Sequence, residues 1–264
     1  MNHIAWVSVC FFGTTLPSNT KADDLPLRDR TLVVWTAPAN LEQRDGSVLC
    51  ISDCGSFGDS IAFGEVSPRK WMLSRMFHDR QIGEVILSEN FNWTNQDQSG
   101  WSGETAGPDE FVQMAVVYKE SQIFIYRNSA LITECSYTNQ DDRNYRPSDI
   151  VAFGPRYMRA GKYSTSSSYQ GIIQDARIYN TALDQAAIAA LVPGQMSDPQ
   201  PFAWWAFGEG DFEQDRMGRY GDVRMIGSPE LTSRGVVLQD NDVLTYLPIV
   251  EKSTEPYCAE TSLH

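Results

Sequence analysis

The chain has 264 residues, 42% hydrophobic and 11% aromatic. That is ample for a large core, and all-β sandwiches of ~200–250 residues occur as one domain. Its 21 Lys and Arg stand against 34 Asp and Glu, a net charge of −13, which excludes the basic footprint of nucleic-acid or anionic-lipid binding and points to neutral ligands.

Residues 1–22 read as an address rather than as part of the fold. Ile4 to Gly13 is a short apolar run, and Thr20-Lys21-Ala22 offers small residues where a signal peptidase cuts. The run is about half of the ~20 residues that span a bilayer, and its flank carries only His3 in place of Lys or Arg. The expectation is a cleaved signal and a secreted or periplasmic protein, with no membrane partner. Cleavage removes Cys10 and leaves Cys50, Cys54, Cys135 and Cys258, which allow three pairings. Cys50 and Cys54 are close enough in sequence for a short-loop bridge; free buried thiols are the alternative. A zinc site needs a second close ligand pair, which the sequence lacks.

Strands begin at Arg30. Thr31–Thr36 and Gly46–Ser52 are apolar runs on either side of a polar turn, 38–45. Asp59–Glu65 alternates, and Lys70–Met76 continues with Trp71 and Met72. Phe111–Lys119 and Gln122–Asn128 form a hairpin turning at Glu120-Ser121, and Asp149–Gly154 adds another strand. In Tyr169–Tyr179, β-branched and aromatic residues interleave with Gln174, Asp175 and Arg177. Leu183, Ala186, Ala187, Ile188 and Leu191 then fall at helical spacing behind Asp184, before Val192-Pro193-Gly194 ends the helix. Short, regularly spaced strands with one late helix predict two antiparallel sheets packed face to face.

The Tyr169–Val192 stretch resembles the closing signature of the laminin-G-like, concanavalin A-like lectin-glucanase family. Gly171, the I-x-D-x-R-I-Y-N core from Ile173 to Asn180, and Ala182-Leu183 carry the match; the family's usual glutamate before the helical isoleucine is Ala187 here. The 112–128 hairpin is also similar, with Asn128-Ser129 where the family usually has Asn-Gly. The resemblance implies an all-β, two-sheet antiparallel jelly-roll sandwich with one short helix near 184–192. The sandwich would occupy 23–194. The same fold carries lectins, adhesion modules and glycosidases, so function must come from the site.

The stretch 89–107 is the most unusual loop. Trp93 and Trp101 stand among Asn92, Asn95 and Asp97, and indole faces beside amides and carboxylates suit the C–H face and the hydroxyls of a sugar. Tryptophans folded back as lids on the core are the competing reading. Tyr145, in the polar loop 137–147, joins the candidate sugar-binding set. Some relatives hold calcium in such loops, and Asp141 and Asp142 are the candidates here, although adjacent aspartates lack the D-x-D-x-D spacing and a solvated turn is the simpler reading. No other cofactor is implied.

After Gly194 comes a linker, 195–201, and then a stretch that resembles the beginning of the same family domain. Trp205, Phe207, Glu209 and Gly210 match W-x-F-x-E-G; Asp215 to Gly218 match D-x-x-G; Gly235 to Asp240 match G-V-V-L-x-D. A β piece of ~50 residues buries too little surface to stand comfortably alone, so 195–250 is expected to pair back onto the sandwich, leaving 251–264 as a tail. Glu209, Asp211 and Glu213 have the E-x-D-x-E spacing of concanavalin A-like glucanases, which on a strand would set three carboxylates on one face. Gly208 and Gly210 suit a turn better.

Domain plus tail resembles the amino-terminal accessory part of bacterial levanase- or invertase-type glycoside hydrolases, whose catalytic motifs are not in this chain. The leading expectation is a non-catalytic carbohydrate-binding module that meets an oligo- or polysaccharide and precedes such a hydrolase. The alternatives are an adhesion sandwich packed on a neighbouring domain, and a glucanase using Glu209, Asp211 and Glu213.

Overall fold

The computed structural model describes residues 29–44, 46–52, 58–64, 67–75, 91–92, 102–137, 150–155, 158–159, 162–163, 168–209 and 214–248. Among these, all paired strands are antiparallel and form two large sheets with a small hairpin beside them.

The first sheet is built around β1 (Arg30–Pro38), whose apolar run RTLVVWTAP is buried along its whole length. On one side β1 pairs with β12 (Gly171–Tyr179), from Thr31 opposite Tyr179 to Pro38 opposite Gly171. On the other it pairs with β6 (Val112–Lys119), which continues through a hairpin into β7 (Gln122–Arg127) and then β8 (Ala130–Tyr137). β5 (Phe91–Asn92) borders β8. The second sheet places β2 (Gly46–Ser52) between β3 (Gly58–Phe63) and β9 (Ile150–Gly154), with β4 (Trp71–Arg75) outside β3. β10 (Met158–Arg159) and β11 (Lys162–Tyr163) form the small hairpin.

Strands after Gly194 enter both sheets. β13 (Ala203–Trp205) and β16 (Gly235–Leu238) hydrogen-bond to β12, with β15 (Glu230–Thr232) as the edge beyond β16. β17 (Val243–Pro248) pairs with β9 and carries β14 (Tyr220–Ile226) on its outer side. Their side chains complete the core rather than lie on it. Phe153 of β9 meets Trp205, Phe207 and Tyr246 edge-on, with ring centroids 5.4, 5.2 and 5.7 Å away, an edge-to-face geometry that aromatic quadrupoles favour.

The main core lies between the sheets. Leu32, Val34, Met114, Val116, Ile173 and Ile178 face Leu49, Ile51, Ile61, Phe63, Val151 and Leu244. β1 is also buried on its other face, because helix α1 (Gln185–Ala190) packs there. Ile188, Leu183 and Leu191 close over Val33, Trp35, Ala115, Val117 and Tyr179. That second cluster explains why β1 reads as a continuous apolar run and not as an alternating one. Asp184 caps the helix, accepting from Ala187 N at 2.8 Å.

The hairpin turns at Glu120, where φ is +51°, as the sequence reading placed it. Asn128 and Ser129, at φ +46° and +64°, close the next turn in the doubly left-handed form that Asn-Gly usually supplies. Asn128 Oδ1 accepts from Gln113 N at 2.8 Å, and Ser129 Oγ donates to Gln113 Oε1 at 3.2 Å. Side-chain hydrogen bonds therefore hold a conformation for which glycine is normally chosen. The strand that follows, β8, is one the sequence reading missed.

Cys50 is a free thiol, 3% exposed on β2, and not half of a bridge to Cys54. Burial pushes the thiol up to about 12. Cys54 and Cys258 lie outside the described residues, as do residues 1–22.

Candidate functional site

One end of the sandwich gathers the ends of β1, β3 and β7 and the beginnings of β2, β4, β6 and β12. The segment 102–111, which follows the tryptophan-bearing loop, returns to the sheets at this end. Its anchor is Glu104, fully buried. Oε2 accepts from Trp71 Nε1 at 2.7 Å and Arg127 Nε at 2.8 Å. Oε1 accepts from Arg127 Nη2 at 2.7 Å, Ala106 N at 2.8 Å and Thr105 N at 2.9 Å. Burial alone would raise this carboxyl, but the bonds from Arg127, Ala106 and Trp71 outweigh it and hold the group below the ordinary glutamate range. The same pairing raises Arg127. Glu104 therefore remains ionised and ties β4 of one sheet to β7 of the other.

Packed beside it, the Trp71 ring lies 4.5 Å from Phe63 and 6.4 Å from Tyr169 between centroids. The Tyr169 hydroxyl shares a hydrogen bond of 2.8 Å with Thr36. Gly46 passes so close that a Cβ there would stand 2.3 Å from the Tyr169 backbone, so only glycine allows β2 to begin there. The rim outside this cluster is polar: Gln43 bridges Asn40 and Gln170, and Arg69 pairs with Glu42 in solvent.

The family signature on β12 has a structural role. Arg177 is fully buried, with Nε 2.8 Å from Asp175 Oδ1 and Nη2 2.7 Å from the Val192 carbonyl. Its guanidinium lies between Trp35 and Trp204, 5.1 and 4.9 Å from their centroids, and Arg216 covers the outer face of Trp204 at 4.7 Å. Asp175 also accepts from Trp204 Nε1 at 2.9 Å and Gly194 N at 2.7 Å. The D-x-R pair thus fastens both the chain leaving α1 and the carboxyl-terminal strands to β12. Asp215, in the D-x-x-G match, is a buried turn anchor. It accepts from the backbone N–H groups of Trp204, Met217, Arg219 and Tyr220, while burial raises its carboxyl.

Of the sugar-binding candidates, Asn92 stands on β5 opposite Ser136. Trp93, Asn95, Asp97, Trp101 and Tyr145 lie outside the described residues, as do Asp141 and Asp142. Glu209 does not open a strand. It ends a 3-10 turn, Phe207–Glu209, and its half-exposed carboxylate pairs with Arg216. The period-two alignment expected of Glu209, Asp211 and Glu213 on one strand therefore does not begin at Glu209; Asp211 and Glu213 lie outside the described residues. Among the described residues no group of three His, Cys, Asp or Glu could hold a metal ion. The sequence reading missed Glu104 and Arg127. The only sequence signal is a lone charge within a glycine- and alanine-rich stretch, with its partner 23 residues away.

Several solved structures are similar to parts of this chain. Domain 4 of AbnA, a GH43 extracellular arabinanase from Geobacillus stearothermophilus, in complex with arabinotriose, is 14% identical with a TM-score of 0.42, over 61% of this chain and 65% of that one. The chain thus spans just under two thirds of that domain. The CBM40 of the Ruminococcus gnavus IT-sialidase, bound to α2,3 sialyllactose, is 12% identical with a TM-score of 0.41, over 62% and 83%. A heptameric SAP-like pentraxin from Limulus polyphemus is also 12% identical with a TM-score of 0.41, over 62% and 70%. A search of curated proteins found no match. Residues 13–189, more than half of the chain, match the model of the concanavalin A-like lectin/glucanases superfamily, and the chain belongs to that family.

Proposed function

We propose that this chain is a secreted or periplasmic, non-catalytic carbohydrate-binding module that accompanies a polysaccharide-degrading glycoside hydrolase. The observation that carries the reading is the fixed rim at Glu104, directly after a loop whose sequence sets Trp93 and Trp101 among Asn92, Asn95 and Asp97. Sugar stacking needs an indole face held still, with hydrogen-bonding groups beside it. Family membership supplies the sandwich and leaves the ligand to the loops. Tyr145 and the Asp141-Asp142 pair belong to a second loop of the same proposed surface, where calcium would act by ordering the loop.

Export is part of the proposal. The family match begins at residue 13, inside the segment read as a signal, so amino-terminal sequencing of the exported protein tests cleavage after Ala22. Binding is tested by affinity electrophoresis through gels containing levan or barley mixed-linkage β-glucan, with and without EDTA. Retardation by at least one polysaccharide is the expected result, and a loss of retardation in EDTA would assign calcium a role. Free migration through every gel would overturn the reading.

A further inference from the structure

The first sheet turns two aromatic rings away from the main core. Along β7, Ile123 and Ile125 enter the space between the sheets, while Phe124 and Tyr126 lie on the opposite face, the one that bears α1. Both rings are half-buried: they pack against the cluster beneath the helix and leave their remaining surface to solvent. Two positions apart on one strand, they are spaced about 6.7 Å along it. On β8, Glu134 pairs with Phe124 and Leu131 with Tyr126; Glu134 is exposed and Leu131 is 45% exposed. From the other flank the start of the helix brings Asp184 and Gln185, both exposed. Partial burial, and then the charges of Asp184 and Glu134, push the Tyr126 phenol up, which puts both carboxylates in the neighbourhood of its hydroxyl.

The parts of this face are fastened to one another. Gln113 on β6 donates from its side-chain amide to the Ile188 carbonyl at 3.0 Å and from its backbone N–H to Asn128 Oδ1 at 2.8 Å, and its Oε1 accepts from Ser129 Oγ at 3.2 Å. Gln185 Nε2 donates to the Ser129 carbonyl at 2.9 Å, so the start of α1 is tied to the β7–β8 turn. Rings and polar groups are thus set relative to one another before a ligand arrives, which lowers the ordering cost of binding.

The chemistry of the face favours a sugar over a protein. Charged residues are depleted at the centres of protein interfaces, and a protein partner would have to strip water from Glu134 and Asp184, neither of which is in an ion pair among the described residues. Sugar hydroxyls donate to such carboxylates, while the apolar C–H face of the same sugar lies on an aromatic ring. With both rings on one strand the face is a strip and not a closed pocket, which suits the interior of a polymer.

We propose that the helix-bearing face of the first sheet is a second carbohydrate-binding surface, where Phe124 and Tyr126 stack on the rings of a neutral polysaccharide and Glu134, Asp184 and Gln185 take its hydroxyls. It rests on the carbohydrate-binding reading but not on the 89–107 loop.

The test uses the full chain labelled with 3-fluorotyrosine and followed by fluorine NMR, with Tyr126→Phe identifying the Tyr126 line. The probe is levanohexaose or a β-glucan hexasaccharide, matched to the polymer that retards the parent. It should shift the Tyr126 line and leave those of the buried Tyr169, Tyr179, Tyr220 and Tyr246 in place. Tyr126→Ala should weaken affinity for the polymer about tenfold, and Glu134→Gln about threefold. Glu134 is exposed, so Glu134→Gln should melt with the parent, and it carries the test if Tyr126→Ala does not fold. An unmoved Tyr126 line, or parental affinity in both variants, would overturn the second surface while the retarded parent kept the carbohydrate reading in force. Free migration of the parent through every gel would overturn both. Self-association that Tyr126→Ala abolishes, with no shift from the hexasaccharide, would make the face a protein contact and equally overturn the proposal.

Discussion

Arg177→Met should be among the most damaging single changes in the molecule, because it breaks a buried ion pair from one side. The guanidinium makes two bonds to Asp175, at 2.8 and 3.1 Å, and one to the Val192 carbonyl at 2.7 Å. Methionine fills much of the space between Trp35 and Trp204 but leaves Asp175 buried and charged, with the Trp204 indole and Gly194 N as its remaining donors. Removing one partner of such a pair costs about 3–5 kcal/mol. At 2–4 °C per kcal/mol for a protein of this size, the melting temperature should fall by roughly 6–20 °C. The decisive comparison is the double variant Asp175→Asn/Arg177→Met. Asparagine keeps an acceptor for Trp204 and Gly194 without the unpaired charge, so the double variant should recover stability relative to Arg177→Met. Thermal and urea unfolding of the two single variants and the double variant measure this. A loss under about 1 kcal/mol for Arg177→Met, or a double variant as unstable as the summed single losses, would refute the latch between β12 and the carboxyl-terminal strands.

A chain ending at Gly194 should fail to fold, because it lacks Trp205, Phe207, Tyr220 and Tyr246 from the main core; circular dichroism and exchange of the remaining amides check this, and a cooperative melt of the truncated chain would contradict it. Cys50 should resist iodoacetamide in the native protein at pH 8, since a thiol at about 12 is almost wholly protonated there as well as buried, and should react after denaturation; a Cys50–Cys54 disulfide peptide in a non-reducing digest would contradict the free thiol. The Glu104 carboxyl is held below its usual value, so its contribution to stability is complete above the ordinary glutamate range and is lost as pH falls through its folded-state pKa. The stability gap between the parent and Glu104→Gln should therefore be widest near neutral pH and close in acid, as urea titrations across pH would show.

How much of this was legible in the sequence follows from the range of the forces involved. Local rules sufficed for the 112–127 hairpin, for β2 over Gly46–Ser52 and for the helix behind Asp184, because period, turn residues and a cap lie within a few positions of one another. β8 was missed because Asn128-Ser129 is not a standard turn signal, and what holds it is a hydrogen bond to Gln113 on another strand. The motifs after Gly194 were visible, but their side chains acquire partners only through long-range pairing. Asp175 and Arg177 read as the solvent face of a strand; the indoles of Trp35 and Trp204 bury them. Glu209 looked like one of three aligned carboxylates until the 3-10 turn and Arg216 accounted for it. Glu104 gave no local partner signal, since three of its five hydrogen bonds come from Trp71 and Arg127, which reach it only after folding, and the other two from the backbone of its own bend.

The central claim, a sugar platform on the 89–107 loop, is tested most directly by measuring affinity and melting temperature together for Trp93→Ala and Trp101→Ala. The polysaccharide is the one, levan or β-glucan, that retards the parent. A stacking indole on a shallow site is worth on the order of 1–2 kcal/mol, so affinity should fall roughly tenfold or more while the melting temperature stays that of the parent. A buried lid tryptophan would instead cost about 3–5 kcal/mol of folding stability. A collapsed melting temperature in both variants, or full retention of the polysaccharide by both, would contradict the account.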